Sequence, residues 1–525
     1  MVSAVTVLVV GAGPTGLLLA AELQRRGVGC LLIDAHDKPL AWDRATVVHP
    51  RSIEVFESLG IAEPLLAAGV KQRRARIHSN GNLLGDIDLS LCRSRYPFNL
   101  GVSEEVTEAI LTDYLTRLGG AVTRATRLVD LAEREDGVLA TVEQDGTQTH
   151  ILAQWVVGCD GHRSTVRTLA GIGQDGHDIE EPWAVFDAAV RAWPHSFEAN
   201  YAYLDDLPVI LTALPEERWR IYLRPSSETS DLVADAAGTL ERYLPGVQFE
   251  AVANPTRFHC HSKVAQKFRA GRLLLAGDAA HTCSPAQGHG MNTGLQDAFN
   301  LAWKLALVCQ GQAADDLLDS YEAERRPVAQ KVAASGDMAE SVQLVKDPDE
   351  RRARDAEIRA VFADPATRHL EAVAEAEFDI DYGSSPVVMG HPSERLGPGQ
   401  RLPDRLEVQS ADGGALYLHE LAQRQGHTAL LIAGASTCKE ALAGLHGAVE
   451  SGADLPVLEA AFALTAHPEG ADGHGRIAPA AADRLGVGEM TLFVVRPDGH
   501  VGLRADAGHL EALAAYGALL AGQTS

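Results

Sequence analysis

Cysteine is sparse in this 525-residue chain: seven residues, at 30, 92, 159, 260, 283, 309 and 438, are scattered and never spaced C-x-x-C. A disulfide framework or a zinc site draws on such pairs, so the expectation is reduced thiols in a cytoplasmic protein, with no metal site. Basic charge is short as well, 46 Lys and Arg against 71 Asp and Glu, a net charge of −25. Such a chain repels nucleic acid and anionic membrane surfaces, and neither is an expected partner. No stretch reaches the roughly 20 uninterrupted apolar residues of a membrane span. The opening "MVSAVTVLVVGAGPTGLLLAAEL" lacks the basic leader of a signal peptide, and Gly11, Gly13 and Pro14 interrupt its apolar run. Internal repeats and low-complexity tracts are missing too.

What is present is a globular composition, 46% apolar, in a chain long enough for two to four domains. Residues 5–35 read as strand, tight turn, helix and strand, a βαβ unit. Val5 to Val10 is a continuous apolar run, as in a parallel strand covered on both faces. Helices are predicted over 51–59 and 105–118, the second after Ser103 as a cap, and short strands over 121–158. Residues 181–270 are mainly β and read as an inserted sheet; helices dominate from 291 to about 375. A Pro- and Gly-rich stretch over 383–404 reads as a linker into a small α/β domain of about 130 residues.

Three stretches carry chemistry. In "GAGPTG" (Gly11, Ala12, Gly13, Pro14, Thr15, Gly16) the first glycine permits a tight turn, the second lets a pyrophosphate approach the backbone, and the third allows close helix–strand contact. The helix that follows offers free N–H groups to phosphates, and Asp34, 23 positions after Gly11, can accept hydrogen bonds from ribose hydroxyls. In "CDGHRSTVR" (159–167), Asp160-Gly161 taken alone reads first as an ordinary turn, with Arg163 and Arg167 as solvated charges. In "GDAAHTCSPAQGHGMNTGLQDAFNLAWKLA" (277–306), Asp278 ends a buried strand where ligands bind in open α/β sheets. Gly288 and Gly290 admit a planar ring, and Asn292 is read as the start of a helix whose unpaired N–H groups stabilise negative charge before it. Leu295, Ala298, Phe299, Ala302 and Leu305 form that helix's core face.

Together these stretches resemble the class A flavoprotein monooxygenases, the para-hydroxybenzoate hydroxylase-like family, over roughly residues 4–390; "WDRATVVHPRSIEVFESLGI" (42–61) is also similar to that family. The tail, with "RLGPGQRLPD" and "VVRPDGHVGLR", resembles the thioredoxin-like third domain of the phenol and polyketide hydroxylase branch, and without C-x-x-C it implies packing or oligomer contact rather than redox. The resemblance implies an α/β protein. Its parts are a Rossmann-type FAD-binding domain (1–180 and 271–390), an inserted β-sheet substrate domain (181–270) and the thioredoxin-like domain (391–525). The segment near 70–100 is left open between the first two.

It also implies site roles. Gly11 to Gly16 and Asp34 hold the ADP half of FAD, Arg44 lies over the pyrophosphate or ribityl region, and Leu128 offers backbone to the adenine. Asp278 binds the ribityl chain, and Pro285, Gly288, Gly290, Met291 and Asn292 face the isoalloxazine. Asp160 and Gly161 belong to a motif tied to FAD and NAD(P)H, with Arg163 and Arg167 as candidates for the nicotinamide nucleotide. Glu104 stands where the family usually has Gln, before Thr107-Glu108, and an acid sits poorly beside a pyrophosphate unless it bonds a hydroxyl.

The implied activity is hydroxylation of a phenolic or polycyclic aromatic, polyketide-like substrate. NADPH or NADH docks transiently, O₂ is co-substrate, and a C4a-hydroperoxyflavin carries the oxygen. One dinucleotide fingerprint suits such transient docking. Baeyer–Villiger or epoxidising oxygen insertion and a non-catalytic FAD-binding protein stay open, while a flavin halogenase is disfavoured without W-x-W-x-I-P. No catalytic base is named. Trp183, Tyr201, Tyr203, Trp219, Arg220 and Tyr222 are candidates for an aromatic pocket, with ordinary packing the competing reading; Arg220 and Tyr222 share one strand face and are preferred. The histidines of "HCH" (259–261) are not spaced as ligands. A homodimer is left open.

Overall fold

The computed structural model describes residues 2–39, 45–451, 455, 457–467 and 474–522; Arg44 lies outside them. Two compact units are present: residues 1–24, 29–298 and 328–378, and residues 25–28, 299–327 and 379–525.

In the first unit, strand Val2–Val10 runs parallel to Cys30–Ile33 on one side and Thr147–Gly158 on the other, and Leu273–Leu275 continues the parallel set beyond. Val7, Leu8 and Val9 have no exposed surface, as a strand covered on both faces requires. Parallel neighbours place their carboxyl ends on one edge. There Gly11 N–H donates to Ile33 O (2.8 Å), Cys159 N–H to Val10 O (2.7 Å) and Ala276 N–H to Gly158 O (2.9 Å). Gly11, Asp34, Asp160 and Asp278, far apart in the chain, therefore all leave the same sheet edge. The hairpin Thr126–Arg134 and Gly137–Gln144 adds antiparallel strands to Thr147–Gly158, and Leu128 is buried in it opposite Val142.

A seven-stranded sheet in the same unit runs in the order Phe249–Phe258, Trp183–Val190, Arg218–Leu223, Val209–Leu214, Ala199–Tyr203, Arg74–Ser79, Asn82–Asp88. The last two strands bring part of the 70–100 segment into the inserted sheet. Alternation sorts its faces. Tyr201, Tyr203, Trp219, Ile221 and Phe186 pack with Leu232 and Leu240 of the covering helix Leu232–Leu240. Trp183, Val185, Tyr222 and Phe258 lie in a second cluster that includes Ala286 of the glycine loop.

The second unit contains an eight-stranded sheet. Its centre is Met490–Val495, His427–Ala433 and Leu458–Thr465; the first pair is antiparallel, the second parallel, and helix Lys439–Ser451 lies between the last two in sequence. This sheet and its helices make a mixed α/β arrangement. Met389–Gly390, within the stretch read as a linker, is a short strand paired with Val501–Ala505. All seven cysteines are free thiols. Among the described residues, no helix is long and apolar enough to cross a membrane.

Candidate active site

The three fingerprint glycines hold different positions for different reasons. Gly11 has φ +101°, and a Cβ there would stand 2.3 Å from Cys159 O; at Gly16 it would stand 1.9 Å from Gly11 O. At Gly13 the nearest atom would be Glu108 Oε1, at 3.8 Å. The outer two are thus required by the fold, while Gly13 leaves backbone open for a ligand. Pro14 opens helix Pro14–Arg25 at the position where its missing N–H costs nothing. Asp34 Oδ2 accepts the Ala12 N–H (2.7 Å) and Oδ1 the His36 N–H (2.8 Å), so the carboxylate braces the fingerprint loop.

Asp160 serves as a helix cap. Its Oδ2 accepts the N–H groups of Thr165 (2.7 Å) and Val166 (3.1 Å) at helix Thr165–Leu169, and Ser164 Oγ donates to Oδ1 (2.5 Å). Burial pushes its carboxyl above the ordinary value against these hydrogen bonds. Gly161 has φ +76° and open space where a Cβ would point. Arg167 is no solvated charge: it is buried and donates to Ala279 O (2.7 Å) and His162 O (2.8 Å), binding this motif to the 277–279 turn. Arg163 is exposed.

The third stretch meets the first at Thr15. A Cβ on Gly277 would stand 2.6 Å from Thr15 Oγ1 and one on Gly294 2.4 Å, so Thr15 nests between the turn and the long helix. Asp297 Oδ2 accepts the Gly277 N–H (3.1 Å) and the His281 Nε2 (2.6 Å), locking that turn to the helix from within. Asp278 is exposed at the sheet edge. Pro285–Gln287 is a 3-10 turn, and Gly288 leaves it at φ +71°. The long helix is His289–Cys309, so it begins three residues before Asn292, because the left-handed Gly288 rather than an asparagine cap breaks the chain. Asn292 lies within the first turn and is fully buried; its Nδ2 donates to Val47 O and Gly288 O (both 2.9 Å), and its Oδ1 accepts the His49 N–H (2.9 Å). Its side chain clamps the loop, which leaves the turn's N–H groups, together with Gly290 and Met291, for a ligand. Glu104 Oε2 accepts the Ala45 N–H (3.3 Å), a bond that holds the segment following Arg44.

On the inserted sheet, Tyr222 Oη lies 3.1 Å from Thr46 Oγ1, both buried. Arg220 shares its face but is forked onto Asp187, Nε to Oδ1 at 2.7 Å and Nη2 to Oδ2 at 2.8 Å; it therefore faces a substrate only as half of a neutral pair. Glu340 is a residue sequence reasoning missed. It accepts from Trp183 Nε1 (2.8 Å), Ser284 Oγ and Arg224, while Arg224 stacks over the Trp183 ring at 4.0 Å. It thus fastens the sheet to the start of the glycine loop. Burial lowers Arg224 to about 10 and pushes the Cys283 thiol up to about 12, so that thiol stays protonated beside the loop. His49, His289 and Glu377 converge behind the same loop, with side-chain ligand atoms within 4.8 Å of one another. Their positions share no spacing a sequence motif could reveal.

The cradle fits FAD: open backbone at Gly13 before a helix N-terminus, carboxylates at the ends of adjacent strands, and a second helix start behind a glycine loop. Residues 4–335 match the family described as FAD binding domain. The chain is 38% identical over 63% of its length to 6-methylpretetramide 4-monooxygenase of Streptomyces rimosus, matching 60% of that protein. It is 31% identical to the 12-dehydrotetracycline 5-monooxygenase/anhydrotetracycline 6-monooxygenase of Streptomyces rimosus subsp. rimosus, over 94% of both chains. The structure of aklavinone-11 hydroxylase with FAD and aklavinone superposes with a TM-score of 0.78 at 25% identity, covering 99% of each chain. The chain belongs to the FAD-dependent aromatic and polyketide monooxygenases.

Proposed function

We propose that the protein is an FAD-dependent, NAD(P)H-consuming hydroxylase of a phenolic, polycyclic aromatic substrate of the polyketide type. One observation carries this reading: the fingerprint loop, the Asp160 turn and the Gly277–Asn292 segment leave one sheet edge, and the inserted sheet sets an apolar face with Trp183, Val185 and Tyr222 against that segment's Ala286. That face supports the substrate class, and so do the relatives, monooxygenases of tetracycline-type compounds and an aklavinone hydroxylase.

FAD held by these residues would supply the redox chemistry, in which reducing equivalents from the nicotinamide nucleotide let one oxygen atom of O₂ reach the substrate ring and the other leave as water. The chain's own residues bind and shield. Gly13 and the start of helix Pro14–Arg25 receive the pyrophosphate, Asp34 the ribose and Asp278 the ribityl chain. The turn His289–Asn292 presents backbone N–H groups and the positive end of a 21-residue helix to developing negative charge. Tyr222, held by Thr46, places a hydroxyl on the substrate-facing side, and the apolar cluster around it keeps water from the reacting atoms. Arg163 is the exposed candidate for nicotinamide-nucleotide contact. The domain division proposed is 1–180 with 271–390, 181–270 and 391–525, with strands of 74–88 added to the substrate sheet. Incubation with a panel of polycyclic phenols under ¹⁸O₂ tests the reading: substrate-stimulated NAD(P)H oxidation and one labelled oxygen on an aromatic carbon are expected. Oxidation that no substrate stimulates, or a label inserted into a ring lactone, overturns it.

A further inference from the structure

His49 is the one ring of the loop's surroundings whose chemistry the flavin site leaves unexplained. It follows strand Val47–Val48, precedes helix Pro50–Ser58 and has no exposed surface, yet neither ring nitrogen has a hydrogen-bond partner. A buried imidazole without partners loses its hydration and gains nothing in return. Its ring stacks on that of His289, centroids 4.7 Å apart and 18° from parallel. His289 Nδ1 lies 2.9 Å from Glu377 Oε1, and Glu377 is buried at a left-handed φ of +59° with Gln296 Nε2 donating to its other oxygen. Glu375 Oε1, which accepts from Asn99 Nδ2, comes within 3.9 Å of His49 Nδ1.

We infer that His49, His289 and Glu377 form a site for a borderline divalent cation such as zinc, nickel or cobalt. Two imidazoles and a carboxylate are the donor set such ions select over calcium or magnesium, which take oxygen. The spacing suits it. Ligands bound at about 2.1 Å stand about 3 Å apart at right angles and about 3.4 Å apart in a tetrahedron, and His289 Nδ1 and Glu377 Oε1 already stand at 2.9 Å. All three ligand atoms fall within 4.8 Å, so His49 needs to swing inward by about 1 to 2 Å, and its ring has no hydrogen bond to break. Gln296 orients the carboxylate as an outer partner of a metal ligand does. An ion there pins the Gly288 loop, the helix after His49 and the segment after helix Pro365–Glu375 to a single point. The proposal departs from the expectation of no metal site, which rested on local spacing alone.

The test uses the full-length, flavin-loaded protein, dialysed against chelator and then zinc, with metal counted by elemental analysis. One tightly held equivalent is expected, with thermal stability that rises with zinc and falls with chelator. His49→Ala and Glu377→Gln each weaken zinc binding about 100-fold, and His261→Ala, at an exposed pair with Asp178, leaves it unchanged. Circular dichroism and flavin absorbance verify folding, and His49→Gln serves should His49→Ala not fold. Zinc retained equally by His49→Gln and Glu377→Gln, or no zinc, nickel or cobalt bound by the parent protein, overturns the inference. None of these readouts uses turnover, so the hydroxylase reading stands or falls separately.

Discussion

The flavin cradle in the first unit and the Glu324 cluster in the second treat polar groups in opposite ways. Around the flavin cradle, carboxylates hold loops and leave backbone bare: Asp34, Asp160 and Asp297 each accept main-chain N–H groups, and a Cβ on Gly13 would meet nothing nearer than Glu108 Oε1 at 3.8 Å. In the other unit charges are buried and spent on each other. Glu324 accepts both arms of Arg496 (2.7 and 2.8 Å) and Lys304 Nζ (2.7 Å), and Asp498 takes the rest of the Arg496 fork, all without meaningful exposure. Burial pushes the Glu324 carboxyl up, but the charges of Arg496 and Lys304 outweigh it and hold it at about 2; burial lowers Lys304 to about 8. A saturated network fixes a fold and offers nothing to a ligand. A binding site requires the reverse, polar groups committed to posture while the contact surface stays free.

Seven substitutions, at six positions, sharpen or break this contrast. The largest effect is expected at Gly16→Ala, whose methyl would stand 1.9 Å from Gly11 O: more than about 4 kcal/mol is lost, seen as no soluble folded protein. Gly13→Ala, by contrast, should keep the parent melting temperature and weaken FAD by about tenfold or more in a flavin titration; equal unfolding by both would erase the distinction between the two glycines. Next comes Glu324→Ala, which leaves Arg496 and Lys304 buried without their carboxylate and costs about 3 to 5 kcal/mol in denaturant unfolding, with flavin absorbance per folded molecule unchanged.

The same group sets a pH dependence. Its folded value of about 2 lies below the ordinary 4.5, so its stabilisation is complete above pH 4.5 and fades as pH falls towards 2. That amounts to about 3 kcal/mol, and the slope of unfolding free energy between pH 4.5 and 2 should flatten in Glu324→Gln. Smaller still is Tyr222→Phe, which removes the bond to Thr46 at a cost of about 1 kcal/mol and uncouples NAD(P)H oxidation from product formation. Smallest is Arg163→Ala, with stability unchanged within about 0.5 kcal/mol and a raised KM for the nicotinamide nucleotide alone, whereas Arg167→Ala should also destabilise the turn at Ala279.

The cradle was legible because each of its requirements is local. A left-handed turn, a close helix–strand contact and a carboxylate one strand away leave a pattern at fixed spacing, and Gly11, Gly16 and Asp34 sit where that pattern puts them. The helix start was misplaced from His289 to Asn292 because a left-handed Gly288 and a buried, clamping asparagine read alike in sequence. The pairing of Arg220 with Asp187 was not legible, because it comes from cross-strand register, which alternation alone does not supply. Glu340 and the trio His49, His289 and Glu377 were out of reach for the same reason: 240 residues separate His49 from His289, and only the folded sheet edge brings them together.

The most direct test is an experimental structure of the protein grown with FAD. The account predicts pyrophosphate against Gly13 and the flavin ring against the turn of residues 288–292, beneath the face that carries Tyr222. A flavin ring lying away from that turn, or an intact protein that takes up no FAD, would contradict it.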